Sequence, residues 1–168
     1  MPHLNVDIRP SHGADFDAVD DLLGCAYPVL LAPDYRADLL AKALPIISRA
    51  NPELLSSGTY FVAHQDGQLL GAGGWSRGLP GGGAALPDRG NIRHLVTAET
   101  VVRQGVGRAL MQHILADAKR AGMGWMHCIA TLTAVPFYHA MGFSDIGAID
   151  VPLQTDLHFP AMEMQLWF

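Results

Sequence analysis

The chain is poor in cysteine: Cys25 and Cys128 are its only two among 168 residues. So sparse a set builds no disulfide framework, and a reducing, cytoplasmic setting is expected. Long apolar runs are missing as well. None reaches the ~18 residues that a membrane span needs, and no signal-peptide pattern is read at the start. Positive charge is scarce, with 11 Lys and Arg against 16 Asp and Glu, a formal net charge of −5. That balance argues against a nucleic-acid surface and mildly favours cationic small molecules. No group of His, Cys, Asp or Glu has metal-ligand spacing, so no metal is expected. The Gly-x-Ser-x-Gly signature of hydrolases is also lacking. Apolar residues, by contrast, make up 49% of the chain, enough for one core and a single domain, 1–168.

The most informative stretch is Val102-Arg103-Gln104-Gly105-Val106-Gly107-Arg108, between a strand-like segment (Asn91 to Thr97) and a helical pattern reaching Ala121. A glycine-bearing turn that opens a helix leaves several amide N–H groups without partners, at the positive end of the helix dipole. Phosphate or pyrophosphate suits such a place. Side chains at 105 or 107 would hold a ligand off the backbone, while Arg103 and Arg108 are near enough to add charge-assisted hydrogen bonds. A nucleotide P-loop requires Lys-Ser/Thr after its last glycine, and Arg108-Ala109 stands here. A dinucleotide fingerprint requires a third glycine where Leu110 stands. On its own, the turn is equally well read as a turn and nothing more.

Elsewhere, Leu4 to Arg9 alternates as a half-buried strand does. Ser11 is read as a helix cap ahead of Phe16, Val19, Leu22 and Ala26, with Asp15 and Asp17 as solvated carboxylates in the first turn. Pro28 and Pro33 are expected to break that helix, and a second begins near Asp34. Thr59 to Ala63 and Gln68 to Trp75 form a hairpin about Asp66-Gly67. Arg77 to Gly90, with Gly81-Gly82-Gly83, reads as a mobile loop or a passive connection. Val106, Leu110, Ile114 and Ala118 mark the buried stripe of the long helix. Trp125 to Leu132 is a strand, Thr133 caps a short helix that Gly142 ends, and Phe159 to Phe168 is a closing strand. Antiparallel hairpins followed by one helical crossover imply a mixed sheet.

The glycine turn, together with Tyr138-His139-Ala140-Met141-Gly142-Phe143 at the end of the short helix, resembles the GNAT-type N-acetyltransferase family. That family's core is strand, Arg/Gln-x-x-Gly-x-Gly/Ala turn, helix, strand, then a short helix ending in Tyr-x-x-x-Gly-Phe. The likeness is specific over Asn91 to Phe143. It implies an α/β (α+β) fold with a mixed, mostly antiparallel sheet of about seven strands flanked by about four helices. It further implies acetyl transfer from acetyl-coenzyme A to a primary amine, small molecule or peptide, by direct attack in a ternary complex. An acyl-coenzyme A sensing module without turnover is the alternative, and a homodimer through the closing strand is a further expectation.

The roles the resemblance implies are as follows. The amides of Arg103, Gln104, Gly105, Val106, Gly107 and Arg108 hold the pyrophosphate. The seat strand at Leu95, Val96 and Thr97 pairs with the pantetheine arm, and the Leu95 amide polarises the thioester carbonyl. Phe137 and Thr131 complete the cofactor contacts, Thr131 standing where an asparagine is common. Tyr138 protonates the departing thiolate or holds it by a hydrogen bond. Tyr27, Tyr35 and Arg36, on the opening helix pair, are candidates for acceptor contact. Two departures stand out. Val102 occupies the frequent Arg/Gln position, and Asn91 and Arg93 stand where a Glu or His base is usual, though neither can serve as one. His94 is the chemical candidate for base, yet alternation sends it to the face opposite 91 and 93 unless a bulge, such as the family carries, turns it back. His127 and a water chain are the other options.

Overall fold

The computed structural model describes residues 4–79 and 85–168. The Gly81-Gly82-Gly83 run therefore lies outside the described residues. The seven strands are β1 (Asp7–Pro10), β2 (Tyr60–Gln65), β3 (Gln68–Ser76), β4 (Arg89–Thr97), β5 (Trp125–Thr131), β6 (Ser144–Gln154) and β7 (Leu157–Trp167). The helices are α1 (Phe16–Leu31), α2 (Ala37–Ile47), α3 (Pro52–Leu55), α4 (Val106–Arg120) and α5 (Val135–Ala140). One mixed sheet runs β1-β2-β3-β4-β5-β7-β6. β4 and β5, joined by the α4 crossover, are parallel, and the other neighbouring pairs are antiparallel.

Each face of the sheet carries its own core. On one, the α4 stripe Val106, Leu110, Ile114 and Ala118 is at most 1% exposed and packs with Phe61, Trp75, Ile92, Met126, Cys128, Tyr138 and Phe143. On the other, Val19, Leu23 and Ala26 of α1 pack with Tyr60, Val62, Ala72 and Val96. Alternation along each strand sorts these sets, as period-two burial requires.

Several expectations need correction. α1 runs through Pro28 to Leu31. An interior proline costs roughly 3 kcal/mol, but Ala26 and Leu31 are buried on either side of it, so packing outweighs the lost hydrogen bond. Ser11 caps no helix. Its Oγ donates to the Leu55 carbonyl at 2.8 Å, and a single 3-10 turn at Gly13–Asp15 comes before α1. Asp15 is not a solvated carboxylate: it is buried and gripped by both Arg9 guanidinium nitrogens at 2.7 and 2.9 Å. Thr133 lies inside a 3-10 turn, Leu132–Ala134, and donates to Asp34 instead of capping. The four-residue α3 went unread. Asn51 nucleates it by accepting from the amides of Glu53 and Leu54, with Pro52 in its first turn.

Candidate active site

The site begins where two strands part. β4 and β5 share only three rungs, Arg89–Trp125, Gly90–Met126 and Asn91–His127. Beyond them β4 stays with β3 as far as Thr97, and β5 stays with β7 as far as Thr131. A gap opens between the upper halves of two central strands, lined by backbone groups that no strand satisfies. The Ala98 amide donates to the Leu70 carbonyl of the β3 side at 2.8 Å. Amides along a strand alternate sides, so Thr97 and Leu95 present theirs to the gap. Val96 turns its backbone to β3 and buries its side chain against α1. Of the three seat-strand candidates, it alone offers the gap nothing polar.

A bulge sits at the mouth of the gap. Ala72 pairs with Val96 and Gly74 with Arg93, so Gly73 faces both His94 and Leu95. His94 takes the left-handed conformation, φ 42°, and its carbonyl accepts from the Tyr60 hydroxyl at 2.8 Å. A Cβ on Gly73 would come within 2.5 Å of Leu95 Cδ1 and 3.2 Å of its Cα, so a larger residue there would push the Leu95 side chain aside and crowd the bulge. The bulge reverses alternation: Ile92 and Leu95 both pack on the α4 side. His94 is thereby kept beside Arg93 and the Ile47 carbonyl of α2. Burial first, then the Arg93 charge, lowers its pKa to about 4, against a raising hydrogen bond at Ile47.

The glycine turn has the geometry of an anion seat. Gly105, φ 88°, is the N-cap of α4, and Arg103 is also left-handed at 62°. Among the described residues, the amides of Arg103, Gly105, Val106, Gly107 and Arg108 have no acceptor. That of Gln104 donates to the Val101 carbonyl at 3.3 Å. Consecutive amides left open at a helix start form a nest for a diphosphate, so the residues fit the group the turn implies. Gly107 has another purpose than ligand clearance. A Cβ there would meet Phe137 at 3.3 Å and Thr97 Cγ2 at 3.4 Å, so its absence lets α4 close on α5 and the seat strand. Arg103 and Arg108 are exposed and pair with no acid among the described residues.

α5 brings Tyr138 to the same gap from the α4 side. It is 5% exposed and packs edge-on against Phe137 and Phe143. Gly142, φ 99°, ends the helix, and the Phe143 amide returns to the Tyr138 carbonyl at 3.0 Å. Burial raises the Tyr138 pKa well above 10, and its neighbours Cys128 and Tyr27 raise it further. Tyr27 reaches this point from α1, on the opposite face, and its own pKa is pushed up to about 12 by burial. Two phenols on opposite faces of the sheet therefore lie close enough for charge on one to raise the pKa of the other. The Cys128 thiol, buried and with its pKa raised, stays protonated.

The other acceptor candidates are placed differently. The Tyr35 hydroxyl donates to the Pro160 carbonyl at 2.7 Å and accepts from the Leu132 amide at 2.8 Å, and its ring stacks on Phe159. Both of its hydrogen-bonding roles are filled. Arg36 is the exposed N-cap of α2, paired with Asp38 at 3.0 Å. Thr131 ends β5 opposite Ala161, with no side-chain hydrogen bond among the described residues. Asn91 is fully buried and donates to the carbonyls of Ser76, Arg77 and Gly78. His127 is buried, its Nε2 lying 2.8 Å from Glu163 Oε2 on β7. Sequence reading passed over Glu163 and Tyr60. It also passed over the Gly73-Gly74 pair, which is the trace of the bulge in the sequence.

Comparison with known proteins agrees with this geometry. The acetyltransferase (GNAT) domain family matches residues 31–166. Among solved structures, the GCN5-related N-acetyltransferase of Rhodopseudomonas palustris superposes with TM-score 0.78 at 17% identity, covering 100% of this chain and 99% of that one. The PaiA N-acetyltransferase of Thermoplasma acidophilum, solved with coenzyme A, gives 0.74 at 12% identity over 98% and 100%. The ribosomal-protein-S18-alanine N-acetyltransferase of Escherichia coli gives 0.65 at 17% identity over 97% and 94%. No curated protein sequence matches the chain. With the mixed seven-stranded sheet, the parted β4 and β5, and a family match over most of its length, the chain belongs to the acetyltransferase (GNAT) domain family.

Proposed function

We propose that this protein moves an acetyl group from acetyl-coenzyme A to a primary amine by direct attack in a ternary complex. The observation that carries the reading is the gap between β4 and β5. It has open amides along one edge, an open-amide helix start at one end and a buried phenol beside it. Bound there, acetyl-coenzyme A supplies the activated acetyl group. The α4 start and Arg103 and Arg108 hold the diphosphate, and Thr97 and Leu95 pair with the pantetheine amides. The Leu95 amide donates to the thioester carbonyl oxygen and stabilises the negative charge that grows on it.

Tyr138 stays protonated at any working pH because burial holds its pKa far up. A phenol so much weaker than a thiol, about 8.5, steadies a departing thiolate by a hydrogen bond and does not surrender its proton. His94, with a pKa of about 4, is neutral near pH 7 and too weak to deprotonate an ammonium. It serves as an acceptor that orients the amine. The Glu163–His127 pair, whose glutamate side chain is 34% exposed, is the group placed to take the proton. We place Tyr35 and Arg36 outside the acceptor contacts and keep Tyr27 within them.

Release of coenzyme A across a panel of amines tests the reading. Turnover with at least one acceptor is expected. Tight acetyl-coenzyme A binding with no release for any amine would instead make the chain a sensor, a reading that Asn91 at the usual base position favours. Longer acyl-coenzyme A donors in the same assay define the donor.

A further inference from the structure

Charges on the acceptor side of the gap carry a second reading, which rests on the proposed transfer to an amine. Arg93 lies two residues past the last β4–β5 rung, on the face opposite Ile92, which packs under α4. Its guanidinium makes one hydrogen bond, from Nη1 to Ser76 Oγ at 3.0 Å, and pairs with no carboxylate among the described residues. Residues 80–84, the segment of the β3–β4 connection outside the described residues, are Pro-Gly-Gly-Gly-Ala and bring no acid. Arg93 is half-buried, and its burial disfavours its charge, yet its nitrogens are absent from the polar atoms sealed away without a partner. A guanidinium partly stripped of water, with most of its fork open and no counter-ion, is complementary to a planar anion.

Across the gap stands the opposite charge. Met126, Cys128 and Ala130 pack on the α4 side, so His127 and Ile129 share the face of Arg93. Glu163 is the rung partner of Ile129, and directly paired residues share a face. The His127 ring is the only hydrogen-bond partner of the Glu163 carboxylate among the described residues. About two strand spacings, roughly 10 Å, separate the backbones of Arg93 and Glu163 before the splay widens the distance. Their side chains are long enough to approach one small molecule from both ends.

We infer that Arg93 and Glu163 form a subsite for a zwitterionic acceptor, an amine that carries its own carboxylate, as an α-amino acid does. Arg93 takes the carboxylate and Glu163 the ammonium, which holds the nitrogen in the gap, across from the bulge at His94 and Leu95. A single guanidinium matches a monoanion, and the glutamate opposite repels a dianion such as phosphate.

The test uses the whole chain with α-amino acids, each beside its α-amide and its decarboxylated amine. The free acids are expected to show kcat/KM higher by about tenfold or more, chiefly through KM, as a charge-assisted hydrogen-bond pair gives. Arg93→Gln should erase that preference with acetyl-coenzyme A affinity unchanged, and Arg93→Lys should restore part of it. Calorimetry needs no turnover: N-acetyl amino acids should bind the coenzyme A complex about tenfold tighter than their amides, and in Arg93→Gln the two should bind alike. Equal use or binding of acids and amides by the unaltered protein, or a preference surviving in Arg93→Gln, overturns the proposal. Failure of acetyl-coenzyme A to raise the melting temperature overturns the transferase reading instead, so the two failures are told apart.

Discussion

The two sides of the gap are built in different ways. On the side proposed for acetyl-coenzyme A, the groups turned to the gap belong to the backbone: the α4 start, Leu95 and Thr97, held by glycines that permit the conformation. On the proposed acceptor side they are side chains from four separate elements, Tyr27 of α1, Arg93 and His94 of β4, His127 of β5 and Glu163 of β7, and a tie through Tyr35 holds the wall in place. Backbone recognition depends on φ, ψ and the absence of a Cβ, so it constrains few residue types and tolerates change elsewhere. Side-chain recognition depends on which residues the topology happens to bring together. It can be rewritten one residue at a time while the donor side stays fixed.

If that contrast holds, the largest effect comes from Gly105→Glu. The residue sits at φ 88° as the helix N-cap, so the substitution strains the turn and puts a negative charge at the proposed diphosphate seat. Acetyl-coenzyme A at 100 times its Kd should stabilise the unaltered protein by roughly 2.7 kcal/mol, and that increment should vanish in the variant. Melting curves with and without ligand measure it. A retained increment would remove the diphosphate from this turn. Next in size is Tyr138→Phe, for which the turnover rate should fall by about one to two decades, as the loss of a hydrogen bond to a charged thiolate gives. Cofactor affinity should hold, since the ring packing with Phe137 and Phe143 is kept. Stopped-flow thiol release paired with calorimetry separates the two quantities.

The same contrast governs what could be read from the sequence. The turn at 102–108 and Tyr138 to Phe143 were legible because a glycine at a left-handed position and a phenol ahead of a Gly-Phe helix end are local patterns. Both need only a few adjacent residues. The hairpin about Asp66-Gly67 and the α4 stripe were legible for the same reason. The run of α1 through Pro28 was not, because the buried neighbours that offset the proline lie in other elements. The orientation of His94 turned on a bulge set by Gly73 on the neighbouring strand, and Glu163 acquires meaning only through its rung with Ile129. Pairing across strands is the information a single sequence hides best.

Tyr35→Phe sharpens the comparison from the acceptor side. Removing the hydroxyl leaves the Leu132 amide and the Pro160 carbonyl without their partner, which costs about 1–3 kcal/mol when such groups are buried. Urea unfolding should show that loss, while the melting increment from acetyl-coenzyme A stays as it was. Loss of cofactor binding together with stability would mean that the two sides are not separable.

The smallest effect concerns the root of α1, the helix that carries Tyr27 to the gap. Arg9 donates two hydrogen bonds to Asp15, and these, against opposing burial, bring the carboxyl pKa down to about 2. The folded value lies below the unfolded one, near 3.9. The pair therefore stabilises the fold fully above about pH 4 and loses that contribution as pH falls toward 2. Arg9 is 41% exposed, so solvent screens the interaction and about 1 kcal/mol is the expected size. Asp15→Asn should lower stability by that amount at pH 7 and flatten the acid limb of the stability curve between pH 4 and 2. Cofactor affinity should stay unmoved, because the contact of this segment with the α4 turn, the Leu4 amide on the Gln104 carbonyl at 2.7 Å, involves neither Arg9 nor Asp15. A variant whose acid limb matched that of the parent chain would show the Arg9–Asp15 pair to be energetically silent, and the entry of α1 would then rest on the apolar packing of Phe16, Val19, Leu23 and Ala26.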